Sequence, residues 1–281
     1  MTAAAAQLAS GKGHKDENFP VASALLKREH RAPVMAFYRF ARAADDVADS
    51  ETASAAEKLA LLGAMRATIA GSVDTDAPSA ALRETMAAHA ISAQHALDLL
   101  TAFERDCSID RYADWPALVD YCRYSAMPVG RYVLDVHGED PATWAANDAL
   151  CAALQVINHL QDCGKDYRAI GRVYLPLDVL AAHGVDVTDL GRDAATPQLR
   201  AALRDLVART EILLVRSAGF ARSIRDRRLA IEVAIIHRLA RDLTRRLKTH
   251  DPLSQRVHHG KAEMLGLATL AAAAQLVKGR G

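Results

Sequence analysis

Two acidic clusters, Asp45-Asp46-Val47-Ala48-Asp49 and Asp162-Cys163-Gly164-Lys165-Asp166, each place two carboxylates four residues apart in Ala- and Leu-rich sequence. On a helix, Tyr38, Arg42, Asp45 and Asp49 fall within roughly 60° of one another, and Gln155, Asn158, Asp162 and Asp166 within roughly 80°. Each set therefore lines one face. Like charges at this spacing weaken a helix, and carboxylates sharing a pocket raise one another's pKa, so something cationic has to offset them. Hard oxygen donors suit Mg²⁺, which takes one or two carboxylates, keeps several waters and completes its shell with substrate phosphates. The implied ligand is a diphosphate held through metal, with substrate and Mg²⁺ binding interdependently because the acidic walls alone would repel the anion. A solvated helix surface accounts for either cluster taken singly. The pair together, with its flanking Tyr, Arg, Gln and Asn, favours a site.

Basic and hydroxyl groups stand near both clusters. Arg42, one turn before Asp45, Lys165 inside the second cluster, and Arg168 and Arg172 just after it are placed to clamp diphosphate oxygens or to act as counter-ions to the acids, two roles that coexist in a metal-diphosphate site. Tyr121 and Tyr174 carry hydroxyl tips on apolar bodies, suited to capping a core or to facing a carbocation and diphosphate. His159 follows Asn158 on the second acidic segment, a place beside the pocket, and reads first as a structural histidine; His258-His259 reads as a surface pair. The eleven histidines form no zinc motif, and no G-x-S-x-G nucleophile elbow is present. Gly11-Lys12-Gly13 lacks a preceding strand, a third glycine and the phosphate-loop Lys-Ser/Thr, so nucleotide binding there is rejected.

These residues need helices to position them. Apolar residues recur at three- and four-residue spacing through about 20–49, 54–71, 79–106, 115–137, 146–167, 196–221 and 224–249, and no useful run alternates as a strand does. The fold expected is all-α. Asn18 before Phe19-Pro20 marks a helix start, Gly138 to Thr143 a helix break, and Pro128 a kink or interruption within 115–137. Residues 171–187 read as a connector with short helical pieces. Met264 to Val277 is strongly apolar but shorter than the ~20 residues of a membrane span, and reads as a core helix. With Lys278 and Arg280 at its end, the same segment also suits peripheral contact with an anionic membrane surface, a second reading.

Composition narrows the class. The chain has 281 residues, 51% of them hydrophobic, enough for one large domain with a sizeable core. A net charge of +1 and the lack of a basic stripe with interleaved aromatics give no reason to expect nucleic acid. Cys107, Cys122, Cys151 and Cys163 have no C-x-x-C spacing, which points to reduced thiols and a cytoplasmic setting. Residues 1–14 read as a flexible lead-in without a basic leader or apolar core, and residues 15–281 as the domain.

Five segments in order, ENFPVAS at 17–23, FYRFARAADDVAD at 37–49, YCRYSAMPVGR at 121–131, QVINHLQDCGKD at 155–166 and GRVYLP at 171–176, resemble the squalene/phytoene synthase family. The resemblance spans about residues 15–250. It implies the isoprenoid synthase fold, a single helical-bundle domain with a central apolar cavity, and Mg²⁺ as cofactor in a cluster bridging diphosphate. By that resemblance Asp45, Asp49, Asp162 and Asp166 hold Mg²⁺, while Asp46 and Asn158 support the cluster. Tyr38, Arg42, Gln155 and Arg172 orient a prenyl diphosphate substrate, with Asn18, Tyr121, Lys165, Arg168 and Tyr174 completing the substrate set. The segments look most like the bacterial members that convert presqualene diphosphate to hydroxysqualene in hopanoid biosynthesis, a reaction needing no reduced nicotinamide. Met127 and His159 depart from the expected pattern, where Asn and Phe are usual, and removes-no-ligand changes of this kind bear on cavity shape and water placement. The nearest alternative is a head-to-head condensing synthase making presqualene diphosphate, dehydrosqualene or phytoene. From another class comes a non-catalytic assembly protein of the same fold, and pathway enzymes are conceivable partners.

Overall fold

The computed structural model describes residues 25–278, so Asn18, the 17–23 segment and the 1–14 lead-in lie outside the described residues, as does Arg280. The regular elements of the described residues are all helices, with no strand beyond an isolated parallel bridge between Arg111 and Val173. Four free thiols are present, and burial pushes those of Cys122 and Cys163 up to about 12, which leaves them unreactive at neutral pH. The chain divides into two compact units, one of Met1–Ile109 with Arg123–Glu139 and the other of Asp110–Cys122 with Asp140–Gly281.

The first unit is built on α1 (Arg28–Ala48), α2 (Ala55–Ile69), α3 (Ala77–Ala88) and α4 (Gln94–Asp106), with α6 (Met127–Val136) packed on α1 and α4. Val34, Phe37, Phe40, Ala44 and Val47 recur at three- and four-residue spacing and form the buried stripe of α1. Phe37 stacks on Tyr132 at 4.2 Å, and the Tyr132 hydroxyl donates to the Pro33 carbonyl at 3.2 Å. Helix α2 begins with a capping box in which Ser54 accepts from the Glu57 amide and Glu57 from the Ser54 amide. The Arg66 guanidinium ties α2 to α4 through two bonds to Glu104, at 2.9 and 2.8 Å.

The single helix expected over 79–106 is two helices. The break falls at Ala90, whose φ of 53° is left-handed, and the Ile91 amide reaches back to the Met86 carbonyl at 2.9 Å. This six-to-one closure is ordinarily a glycine's role, and no Gly or Pro marks it here. The segment 115–137 also divides, into α5 (Trp115–Ser125) and α6, at Ala126 two residues before Pro128, as Pro128 predicts.

The second unit is organised around α7 (Trp144–Ile170), which packs on α9 (Pro197–Arg216) and α11 (Arg227–Leu247). A short 3₁₀ turn, Pro141–Thr143, leads into α7 after Gly138 at φ 64°. Gly171, left-handed at φ 68°, ends it. The connector that follows holds α8 (Leu177–Ala182) and a 3₁₀ turn at Val187–Gly191, as the sequence suggests. Gly164 lets α7 approach its neighbours, since a Cβ there would stand 3.2 Å from Leu253 Cγ, 3.3 Å from the Leu190 carbonyl oxygen and 3.2 Å from Arg168 Nη1. After α10 (Phe220–Ser223), α11 carries its buried face from Leu229 to Leu247.

Two expectations fail in this unit. The helix at 261–278, α12 (Lys261–Lys278), lies against α11 but is no core helix: Ala271 is its buried apolar residue, while Leu265, Leu270, Leu276 and Val277 are exposed. Its apolar residues surround the helix instead of forming a stripe, so hydropathy identifies the helix without saying which side is covered. His258-His259 is no surface pair either. The His259 side chain is buried, and its Nε2 lies 3.1 Å from Asp242 Oδ2, in a cluster where Asp242 also meets Arg245 and Arg246. A buried Asp242 needs that company, which a sequence scan for surface polarity overlooks.

Candidate active site

In the first unit the acidic face sits at the C-terminal end of α1. Tyr38, Arg42, Asp45 and Asp46 are half-buried, and Asp49 is the exposed C-cap residue whose amide donates to the Asp45 carbonyl at 2.9 Å. A helix C-terminus is the negative end of its dipole, and three carboxylates there concentrate negative charge further. Arg42 and Lys58 answer it. Arg42 donates to Asp45 Oδ2 and to Asp46 Oδ1, each at 2.6 Å, and Lys58 donates to the Ala48 carbonyl at 3.0 Å. Arg42 therefore acts as the counter-ion of the motif, one of the two roles read from its spacing.

In the second unit Gln155, Asn158, Asp162 and Asp166 are half-buried on one side of α7, opposite the core side formed by Val156, Ile157, Leu160 and Cys163. Lys165 is exposed and stands 3.9 Å from Asp162 Oδ2. Arg168 leaves this face: it is exposed, and its Nη1 donates to the Arg192 carbonyl at 3.3 Å. Below Gly171 the chain doubles back, with the Val173 amide donating to the Asp110 carbonyl and the Leu177 amide to the Tyr112 carbonyl, both at 2.9 Å.

That return builds an aromatic cluster. Tyr174 stacks on His159 at 3.6 Å and 15°, and lies 5.7 Å from both Tyr112 and Tyr121. The Arg172 guanidinium is buried there and donates to the Tyr174 hydroxyl at 3.0 Å. Burial, and next the Arg172 charge, push the His159 imidazole down to about 3, so it is neutral at any physiological pH. His159 forms a wall of this cluster. Of the residues expected in the site, Tyr121, Arg172 and Tyr174 come together here. Tyr112 was missed; its signal was a tyrosine in a short loop just ahead of α5, weak without knowing that 171–177 returns to it.

The fit of these groups to Mg²⁺ rests on their donors. All four motif aspartates supply hard oxygens, the amides of Gln155 and Asn158 add neutral ones, and Arg42 engages one oxygen each of Asp45 and Asp46. Among the described residues no three or more His, Cys, Asp or Glu side chains converge into a cage. An ion held by one or two carboxylates and completed by phosphate oxygens needs none.

A dehydrosqualene synthase structure superimposes with a TM-score of 0.81 over 97% of this chain and 96% of its own, at 23% identity, which defines the isoprenoid synthase fold. The chain belongs to the squalene/phytoene synthase family, whose model matches residues 12–263. It is 56% identical to the hydroxysqualene synthase of Zymomonas mobilis subsp. mobilis over 274 residues, 97% of this chain and 92% of that one. It is also 30% identical to the squalene synthase HpnC of Alicyclobacillus acidocaldarius, with a TM-score of 0.68 over 99% of this chain and 94% of the other.

Proposed function

We propose that this chain converts presqualene diphosphate to hydroxysqualene and inorganic diphosphate, in the cytoplasm. The observation that carries the substrate assignment is identity to the Zymomonas hydroxysqualene synthase along nearly the whole chain. The acidic faces of α1 and α7 support the reaction class, because their donors match Mg²⁺-diphosphate chemistry. Asp45 and Asp49 on α1, and Asp162 and Asp166 on α7, would hold Mg²⁺, with Asp46 and Asn158 in support. Bound Mg²⁺ would supply positive charge to the departing diphosphate.

The chain's own groups do the rest. Tyr38, Arg42, Gln155, Arg172 and the Tyr121–Tyr174 pair orient the substrate, and Lys165 adds positive charge beside Asp162. The C–O bond breaks with its electron pair leaving on diphosphate, and the cyclopropylcarbinyl cation rearranges to an allylic cation. Water then forms the new C–O bond and gives up a proton. No hydride enters, so no nicotinamide is required. Control of water decides the product, and the aromatic walls provided by Tyr112, Tyr121 and Tyr174 are the apolar, electron-rich surfaces such a cation tolerates.

Purified protein incubated with Mg²⁺ and, separately, presqualene diphosphate and farnesyl diphosphate, with no nicotinamide, tests the proposal. Hydroxysqualene from the first substrate alone is expected. Turnover of farnesyl diphosphate would make the chain a condensing synthase. Inactivity on both, with no Mg²⁺-dependent stabilisation by inorganic diphosphate, would indicate an assembly protein.

A further inference from the structure

Helices α9, α11 and α12 of the second unit present a surface that the proposed chemistry does not use. The outer half of α12 is apolar, with Leu270 63% and Val277 76% exposed and Leu265 and Leu276 beside them. Between Glu263 and Lys278 the helix has no charged residue. Along α11 and its C-cap the exposed positions Arg238, Arg241, Arg245 and Lys248 recur at three- and four-residue spacing and form a basic stripe. These four line a groove of about 580 Å³ whose other side is α9, where Val215, 73% exposed, adds a further apolar side chain and Ile212 lies one turn before it.

The charges are only partly balanced. Arg245 pairs with Asp242 and Lys248 with Glu211 at 2.6 Å, but among the described residues neither Arg238 nor Arg241 has a carboxylate partner. The groove is otherwise lined by Leu214, Ala218, His237, Thr244 and the two paired acids Glu211 and Asp242, so four basic side chains face two acidic ones there, and the His237 Nε2 is engaged with the Leu214 carbonyl at 2.9 Å. Two guanidiniums without a carboxylate partner among the described residues, on a helix flanked by α9 with exposed Ile212 and Val215 and by α12 with its exposed leucines, are the composition of an interfacial surface, where apolar side chains enter the acyl boundary and basic ones meet lipid phosphates. A second copy of the chain fits less well. Symmetric pairing through this face would set two basic stripes close together, whereas an anionic bilayer neutralises them.

From this geometry we infer that the α11–α12 face docks this protein on an anionic phospholipid surface, with α12 as the apolar element and Arg238 and Arg241 as the principal phosphate contacts. No described helix is long and apolar enough to cross a membrane, so the contact is peripheral. The water-insoluble product of the proposed reaction makes the bilayer the relevant phase, and to that extent the inference rests on the proposed function.

The experiment is co-sedimentation of the full chain, without substrate, with vesicles of phosphatidylcholine alone or with about one third phosphatidylglycerol, the fraction chosen to carry a surface charge. Binding to the anionic vesicles, weakened by salt, is expected. The double variant R238E/R241E should lower partitioning by roughly tenfold or more, and L270D/V277D should lower it as well. Both variants should keep their circular dichroism and their turnover of detergent-dispersed substrate, which separates failure of docking from failure of the catalytic reading. Equal binding to neutral vesicles, no effect of either variant, or self-association through α12 with no vesicle binding would overturn the inference.

Discussion

Replacing Arg42 by Gln removes its ion pairs with Asp45 and Asp46 from a helix C-terminus that also carries Asp49. The Arg42 side chain is 19% exposed, with Asp45 at 34% and Asp46 at 12%, so the pairs lie between the surface and buried limits. Exposed pairs contribute about 0.2–1 kcal/mol, and removing one partner of a buried pair costs about 3–5. Two charge-assisted bonds at this depth, together with the lost cation near the helix terminus, give a loss of about 2 kcal/mol. Urea unfolding followed by far-UV circular dichroism measures it, and the loss should appear as a lower midpoint at unchanged slope. Repeated with Mg²⁺ and inorganic diphosphate, the loss should shrink, because a divalent ion replaces the missing positive charge. An R42Q protein as stable as the parent in chelator, or an equal loss in both conditions, would refute the reasoning.

Three further outcomes are expected. Asp45→Asn and Asp162→Asn should each lower turnover at least about a hundredfold, matching the loss of one preorganised charge interaction, with the fold retained; near-normal turnover in purified variants would count against their role as ligands. Because burial holds the folded pKa of His159 near 3, below its ordinary value, the unfolded chain binds the extra proton between about 6.5 and 3, and stability falls as pH drops through that window. The His159→Phe variant should therefore show a flatter decline of unfolding free energy from neutral to acid pH, by up to about 1.4 kcal/mol per pH unit, and an identical slope would contradict the neutral, buried imidazole. Gly164→Ala should cost about 1–3 kcal/mol by overpacking against Leu253 and the Leu190 carbonyl, measured by the same urea titration, and an unchanged midpoint would show that the neighbours yield freely.

Sequence pattern made the helices and both acidic faces legible, because helical spacing and carboxylate chemistry are local properties. Asp45 and Asp49, and separately Asp162 and Asp166, occupy the expected faces of α1 and α7. What escaped depended on partners distant in sequence. Ala90 adopts a left-handed backbone that nothing in its side chain announces. The 261–278 segment was recognisable as a helix, yet whether leucines at 265, 270 and 276 are covered is decided by what packs on them. Arg42 was read with two compatible roles, and the counter-ion role is the one seen in its two contacts at 2.6 Å, which sequence spacing alone does not fix. His159 and Tyr112 join the aromatic cluster because Gly171 turns the chain back toward Asp110, a closure that spacing along α7 does not reveal.

The most direct test of the proposed reaction is incubation with presqualene diphosphate and Mg²⁺ in water enriched in heavy oxygen, without nicotinamide, followed by mass spectrometry. Capture of the rearranged cation by water predicts hydroxysqualene carrying the heavy oxygen. Hydroxysqualene that retains only the ordinary isotope would mean the diphosphate oxygen stayed on carbon, and a purely hydrocarbon product would mean the cation was quenched another way; either would contradict the account.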